Sequence, residues 1–216
     1  RKADQLIALD GGMTSQDLNW IKHVRGEDGL ALTVNGYKTS AGKTAVIYPD
    51  EETFTKNAIE LFKQAKTEPV VVPCSSKTKA DELYKYAVAA VGADKVILHT
   101  AATVNENEKY LANTAEHWSK CSILIYSPTI TVGVSFELDH FHHLVCYFSY
   151  ASVTAATAVQ MMKRVRSIAN PRVHVFVDNT GHVRHLPKTR FAVKSAIERL
   201  GILAHFKQPI PEAAFD

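Results

Sequence analysis

No stretch of this chain approaches the run of about 18 apolar residues that a membrane-spanning helix needs. Cysteine is scarce too. Cys74, Cys121 and Cys146 are odd in number, far apart and never at Cys-x-x-Cys spacing, which excludes a framework of paired disulfides. They read as reduced thiols of an intracellular protein. Cys74 or Cys146 beside a histidine could imitate a nucleophile pair, but neither carries a signature for one, and both read as core thiols. The chain opens Arg-Lys-Ala-Asp with no apolar run behind it, so no secretory signal is expected. It also lacks an initiator methionine, and the expectation is a piece of a longer protein. Excess charge of one sign is small, +3 formally with a pI near 8.7. A composition of 46% hydrophobic and 22% charged residues excludes disorder and fibrous repeats. At 216 residues, one ordinary domain plus flanking pieces is expected.

The small net charge hides an asymmetry. From Gln160 to Lys207 ten Lys/Arg stand against only Asp178 and Glu198, so this block carries +8 and the remainder −5. Such a basic block points to a polyanionic partner, with a solvated helix face as the plain alternative.

Short apolar runs alternate with helical periodicity. Strands are expected at 6–9, 70–73, 96–99, 123–126, 144–148 and 173–177, and helices at 15–25, 50–66, 77–91, 106–118, 154–167 and 189–203. Trp20 and Trp118 fall at core positions of two of these helices. The β-rich runs 30–34 and 44–48, joined by a polar Gly-containing stretch, suggest a hairpin. Strands apolar throughout and separated by helices imply an α/β fold, a parallel sheet covered on both faces. Ligands of such sheets bind beyond the strand C-termini.

The residues that follow the strands are therefore the informative ones. Cys74-Ser75-Ser76-Lys77, Thr100-Ala101-Ala102-Thr103 and the run from Ser127 to Phe136 each offer small hydroxyls and backbone N–H groups, suited to phosphate oxygens without reading bases. The sharpest element is Gln160-Met161-Met162-Lys163-Arg164-Val165-Arg166. On a helix, Gln160 and Arg164 share a face while Arg166 lies nearer the opposite one. An arginine so placed can stabilise a phosphoryl group in transfer; an amphipathic helix with solvated charges is the bland alternative.

In this order, the motifs resemble the second RecA-like domain of superfamily 2 helicases. The Ser75–Lys77 loop resembles motif IV, Thr129–Glu137 motif V and Gln160–Arg166 motif VI. The sequence Thr-Val-Gly-Val-Ser-Phe and the Arg-Val-Arg spacing are similar to herpesvirus-type replication origin-binding helicases of large DNA viruses and mobile elements. The resemblance covers roughly residues 6–180 and implies a RecA-like parallel sheet preceded by the hairpin excursion. Residues 1–28 would be the tail of a preceding RecA-like domain, 29–66 a linking hairpin and helix, 67–180 the second domain and 181–216 a basic helical extension. The implied activity is ATP-dependent DNA unwinding or translocation in replication initiation, inside the cell at DNA. ATP with Mg2+ would be held mainly by a preceding RecA-like ATPase domain, leaving this piece inactive alone.

The resemblance also implies roles. Arg164 would be the arginine finger, with Gln160 orienting it. Gly133, Ser135, Glu137 and Arg166 would face the nucleotide. Ser75, Ser76, Lys77, Thr100, Thr129 and Thr131 would touch the nucleic-acid backbone. Two departures stand out: Ser167 occupies the position of a second motif VI arginine, and Ser135 replaces the common motif V acid.

Three other readings are available. A run from Gly36 to Thr44 imitates a P-loop, but five residues rather than four separate Gly36 from Gly42, and Gly-Lys-Thr runs into a β-rich segment. A phosphotransferase using Lys43 is the weaker alternative, and a non-catalytic nucleic-acid-binding module the stronger one. Asp139-His140-Phe141-His142-His143 looks like metal ligands, yet no cysteine or carboxylate at ligand spacing completes a site, and no metal is expected.

Overall fold

Strands that are apolar at every residue must be covered on both faces, and the computed structural model shows how this is done. It describes residues 13, 15–26, 30–33, 40–103, 111, 113–128, 134–180, 191 and 195. The chain divides into two units, Arg1–Tyr37 with His182–Asp216, and Lys38–Gly181.

In the first unit, helix α1 (Ser15–Arg25) has Asp17 in its first turn and Lys22, His23 and Arg25 in its last, charges that suit the helix dipole. Gly26 stops it at φ +81°, with its N–H on the Lys22 carbonyl. Trp20 is exposed, against the expectation of a core position. The expected strand 6–9 and nearly all of the expected helix 189–203 lie outside the described residues.

The second unit holds six strands, β1 (Thr44–Ile47), β2 (Val70–Pro73), β3 (Val96–His99), β4 (Ile123–Tyr126), β5 (His143–Ser149) and β6 (Arg172–Asp178). They form one sheet in the order β1-β6-β5-β2-β4-β3, and every pairing is parallel. Among the described residues, four helices of the same unit are α2 (Glu51–Gln64), α3 (Lys77–Val91), α4 (Thr114–Trp118) and α5 (Ala155–Met162). Asp50, Ser76, Asn113 and Thr154 cap them, each accepting a backbone N–H two or three residues into the helix. Of the expected helix 106–118, only its last turns are described. Among the described residues no helix is long and apolar enough to cross a membrane.

Alternation along the strands sorts the core into two layers. Val70, Val72, Ile123, Ile125, Val145, Tyr147 and Phe176 face α2 and α3 through Phe54, Phe62 and Leu83. Val71, Leu124, Tyr126, Leu144, Cys146 and Val173 face Trp118, Phe136, Phe141 and Met161. All three cysteines are buried; burial pushes Cys74 and Cys121 up to about 12 and Cys146 well above its ordinary value. They are inert core thiols.

The expected hairpin does not form. Residues 30–33 carry no strand, and β1 lies parallel to β6, with Thr44 opposite Arg172. The β-rich run at 44–47 extends the sheet because β6 offers it a parallel edge to pair with.

Lys79 was not anticipated. It is buried on α3, 2.8 Å from Glu51 and 3.0 Å from Glu82, and it donates to Thr55 Oγ1 at 3.0 Å. Burial depresses its ammonium pKa, but the hydrogen bonds it donates to both carboxylates outweigh that and hold it above the usual lysine value. The cluster ties α2 to α3. Lys79→Met is expected to cost about 2 kcal/mol in a urea titration, less than a fully buried pair, because both glutamates reach water.

Candidate functional site

All six strands run the same way, so their C-termini share one edge, and that edge carries the residues singled out in the sequence. After β2, Cys74 and Ser75 continue the ladder: Cys74 N–H donates to Tyr126 O at 2.8 Å and Ser75 N–H to Tyr147 O at 2.9 Å. Ser75 is buried and its Oγ accepts the Ser149 N–H at 2.7 Å, linking the loops after β2 and β5. Ser76 caps α3, accepting from Lys79 N–H, and Lys77 is exposed at the first helical position. After β3, Thr100 is fully buried; its N–H is taken by Thr103 Oγ1 at 2.9 Å, while its own Oγ1 has no partner. The loops after β2 and β3 are thus held rigidly from within. Thr129, Thr131 and Gly133 lie outside the described residues.

The expected helix 154–167 stops early. α5 ends at Met162 with Lys163 as its cap, so Gln160 lies in the last turn and Arg164 beyond it, and the two do not share a helix face. A tertiary pairing wins over helical periodicity. Val165 is buried and forms a parallel bridge with Phe136, where Phe136 N–H donates to Arg164 O at 2.8 Å and Arg166 N–H to Phe136 O at 2.9 Å. The chain leaving the Ser127–Phe136 segment is thus zipped to the arginine motif.

The two arginines then part. Arg164 turns back to that segment, with Nη1 donating to Val134 O at 3.3 Å and its buried Nε lacking a partner. Arg166 is exposed and pairs with Glu137 at 3.3 Å, a contact of little energetic weight in water. Ser135 gives its carbonyl to Thr114 Oγ1 at 3.0 Å and its hydroxyl to Glu137 at 3.5 Å. Ser167 donates to Asp139, and Gln160 is exposed.

Beneath this edge lies a polar–aromatic core, in which Trp118 was expected at a core position but its polar partners were not. Trp118 is fully buried, stacks on Tyr126 at 6.4 Å between centroids and 10° between planes, and donates its indole N–H to His99 Nε2 at 3.2 Å. Tyr126 donates its hydroxyl to Met161 O at 2.7 Å. The available signal was strand alternation, which puts Tyr126 on the face opposite Ile125, beneath the helix carrying the arginine motif.

Burial lowers the His99 pKa from 6.5 to about 4, so the folded ring stays neutral and accepts from Trp118. As pH falls, the unfolded chain binds this proton first. Stability is therefore lost between about pH 6.5 and 4 and levels off below. His99→Gln should make the stability lost between pH 7 and 4.5 smaller by about 2 kcal/mol in urea titrations at both pH values.

The P-loop alternative fails on geometry. Lys43 leads into β1, at the opposite edge of the sheet from the strand C-termini, and no helix opens there to receive a phosphate. The histidine run is used locally: His140 contacts Cys121 O at 2.7 Å and His143 pairs with Glu68 at 2.7 Å. Among the described residues no group of three His, Cys, Asp or Glu could hold a metal ion.

The all-parallel sheet, covered on both faces, has a RecA-like α/β fold. S. cerevisiae Dbp5 bound to RNA and ADP BeF3 shares it, at a TM-score of 0.50 and 12% identity over 88% of this chain and 47% of that one. The family described as origin of replication binding protein matches residues 43–191, more than half of the chain, and the chain belongs to that family. It is 28% identical over 167 residues, 77% of its length, to an African swine fever virus protein (strain Badajoz 1971 Vero-adapted) named for the helicase/primase complex, of which it covers 16%. It is 24% identical over 207 residues to the replication origin-binding protein of Varicella-zoster virus (strain Dumas), spanning 83% of this chain and 24% of that protein. The chain thus spans a quarter or less of the length of these relatives.

Proposed function

We propose that Lys38–Gly181 is the second motor lobe of an ATP-dependent DNA helicase or translocase acting in replication initiation. The observation that carries this reading is Arg164, tethered to Val134 O and zipped through Phe136 to the loop after β4, with a buried guanidinium N–H left unpaired. A guanidinium carries five N–H donors, of which the bond to Val134 O uses one, and a phosphoryl oxygen is the acceptor its fork fits best. ATP with Mg2+ supplies that phosphoryl group, held mainly by a preceding RecA-like domain of the longer protein.

Arg164 would neutralise charge on the transferring phosphoryl group, and Gln160 would help orient it, from the last turn of α5 rather than from a shared face. Ser135, Glu137 and Arg166, with Gly133, would border the nucleotide. Ser75, Ser76, Lys77 and Thr100, with Thr129 and Thr131, would track the DNA backbone. The exposed Lys77 at a helix start supplies the chemistry for this, whereas Thr100 is fully buried and would have to be uncovered to reach a phosphate. DNA as the partner and the replication site as the cellular location rest on the family description and the relatives' names.

The longer protein should show ATP hydrolysis stimulated by single-stranded DNA; hydrolysis indifferent to DNA would sink the reading. Within it, Lys77→Ala should flatten the slope of log affinity against log salt by about 0.7, the signature of one lost phosphate contact on a single strand.

A further inference from the structure

A single carbonyl ties the Arg164 backbone to α5. The Arg164 N–H donates to Met161 O at 3.0 Å, the last tie to α5 before the chain turns into the bridge with Phe136. The same carbonyl accepts the buried Tyr126 hydroxyl at 2.7 Å. Tyr126 is the last residue of β4, so one fully buried side chain spans from the strand that precedes the Ser127–Phe136 segment to the helix end that launches the arginine. Burial raises its pKa well above 10, with Cys146 adding to the effect and the Arg164 charge opposing it, so the hydroxyl is a permanent donor.

The tyrosine is itself immobilised. Its ring stacks on Trp118, which packs on Phe136 at 6.0 Å and donates to His99. His99 is the residue paired with Tyr126 across β3 and β4, and Thr100 follows it directly. Arg164 is therefore fixed on both sides of the segment it serves: at the start through Tyr126 and Met161 O, and at the end through Val134 and Phe136.

We propose that Tyr126 is the positioning residue for Arg164, its hydroxyl fixing the Met161 carbonyl so that the guanidinium is held where a phosphoryl group meets it. This rests on the arginine role proposed above. A rigid aromatic stack sets the arginine's position, and the carboxyl ends of β3 and β4 are joined to it through that stack. Displacements of about 1 Å at a catalytic group cost rate steeply, while binding contacts made elsewhere are spared.

The test is Tyr126→Phe in the longer protein, which keeps the stacked ring and removes only the donor. DNA-stimulated hydrolysis should lose about tenfold in kcat, with KM for ATP and single-stranded DNA affinity changed less than twofold. Ile125→Val, on the opposite face of the same strand, serves as a variant of mild stability loss and should leave kcat at the wild-type value. Wild-type kcat in Tyr126→Phe, or equal losses in both variants, would overturn the inference. Unchanged hydrolysis in Arg164→Ala would instead remove the reading it rests on, and the inference with it.

Discussion

Replacing Arg164 by alanine in the longer protein should lower DNA-stimulated ATP hydrolysis about 10³-fold, the scale of a lost arginine finger. The loss should fall on kcat, because in the proposed reading a preceding domain would hold most of the nucleotide and KM would change little. The geometry makes this a clean substitution. Backbone atoms of Arg164 and Arg166 carry the bridge to Phe136, so alanine keeps it and removes only the guanidinium and its bond to Val134 O. Arg164→Lys should recover little, because an ammonium lacks the planar fork that can bond Val134 and a phosphoryl oxygen together. Steady-state hydrolysis across ATP concentrations separates the two parameters.

Trp118→Ala should be the most destabilising single change in the Lys38–Gly181 unit, at about 3–5 kcal/mol by urea titration of the 216-residue chain. Three losses combine. A large cavity opens between β4 and the chain around Phe136; the stack on Tyr126 disappears; and the neutral His99 ring loses the indole N–H that it accepts. Trp118→Phe keeps most of the volume and should cost about half as much. Both variants should also soften the Tyr126 contact with Met161, so ATP hydrolysis by the longer protein should fall further than stability alone accounts for.

The sheet was legible where polar residues bracket apolar runs. Val70–Pro73, Val96–His99 and Ile123–Tyr126 are strands over the residues expected, and the helix expected from 77 to 91 spans those residues. Local pattern could not supply the partner of 44–48. Its mate is β6, more than a hundred residues on, and a β-rich segment looks the same in a hairpin as at the edge of a parallel sheet. The end of α5 misled for a related reason. Helical spacing through Met161, Met162 and Val165 continued the helix on paper, but Arg164-Val165-Arg166 also alternates polar and apolar, and the buried pairing of Val165 with Phe136 made the period-two pattern win. The hydroxyl loops were readable as a set. What holds them was not, since the His99–Trp118–Tyr126–Met161 chain joins four separate segments and no local motif marks it.

In the proposed reading, one unit joins a DNA-tracking edge to an arginine that senses nucleotide. Binding of single-stranded DNA to the longer protein, with and without a non-hydrolysable ATP analogue at fixed salt, measures that join as a coupling free energy. The account predicts a several-fold change in DNA affinity when the analogue is present, abolished by Arg164→Ala while affinity without nucleotide stays the same. An affinity indifferent to the analogue, or an equal change in Arg164→Ala, would contradict it.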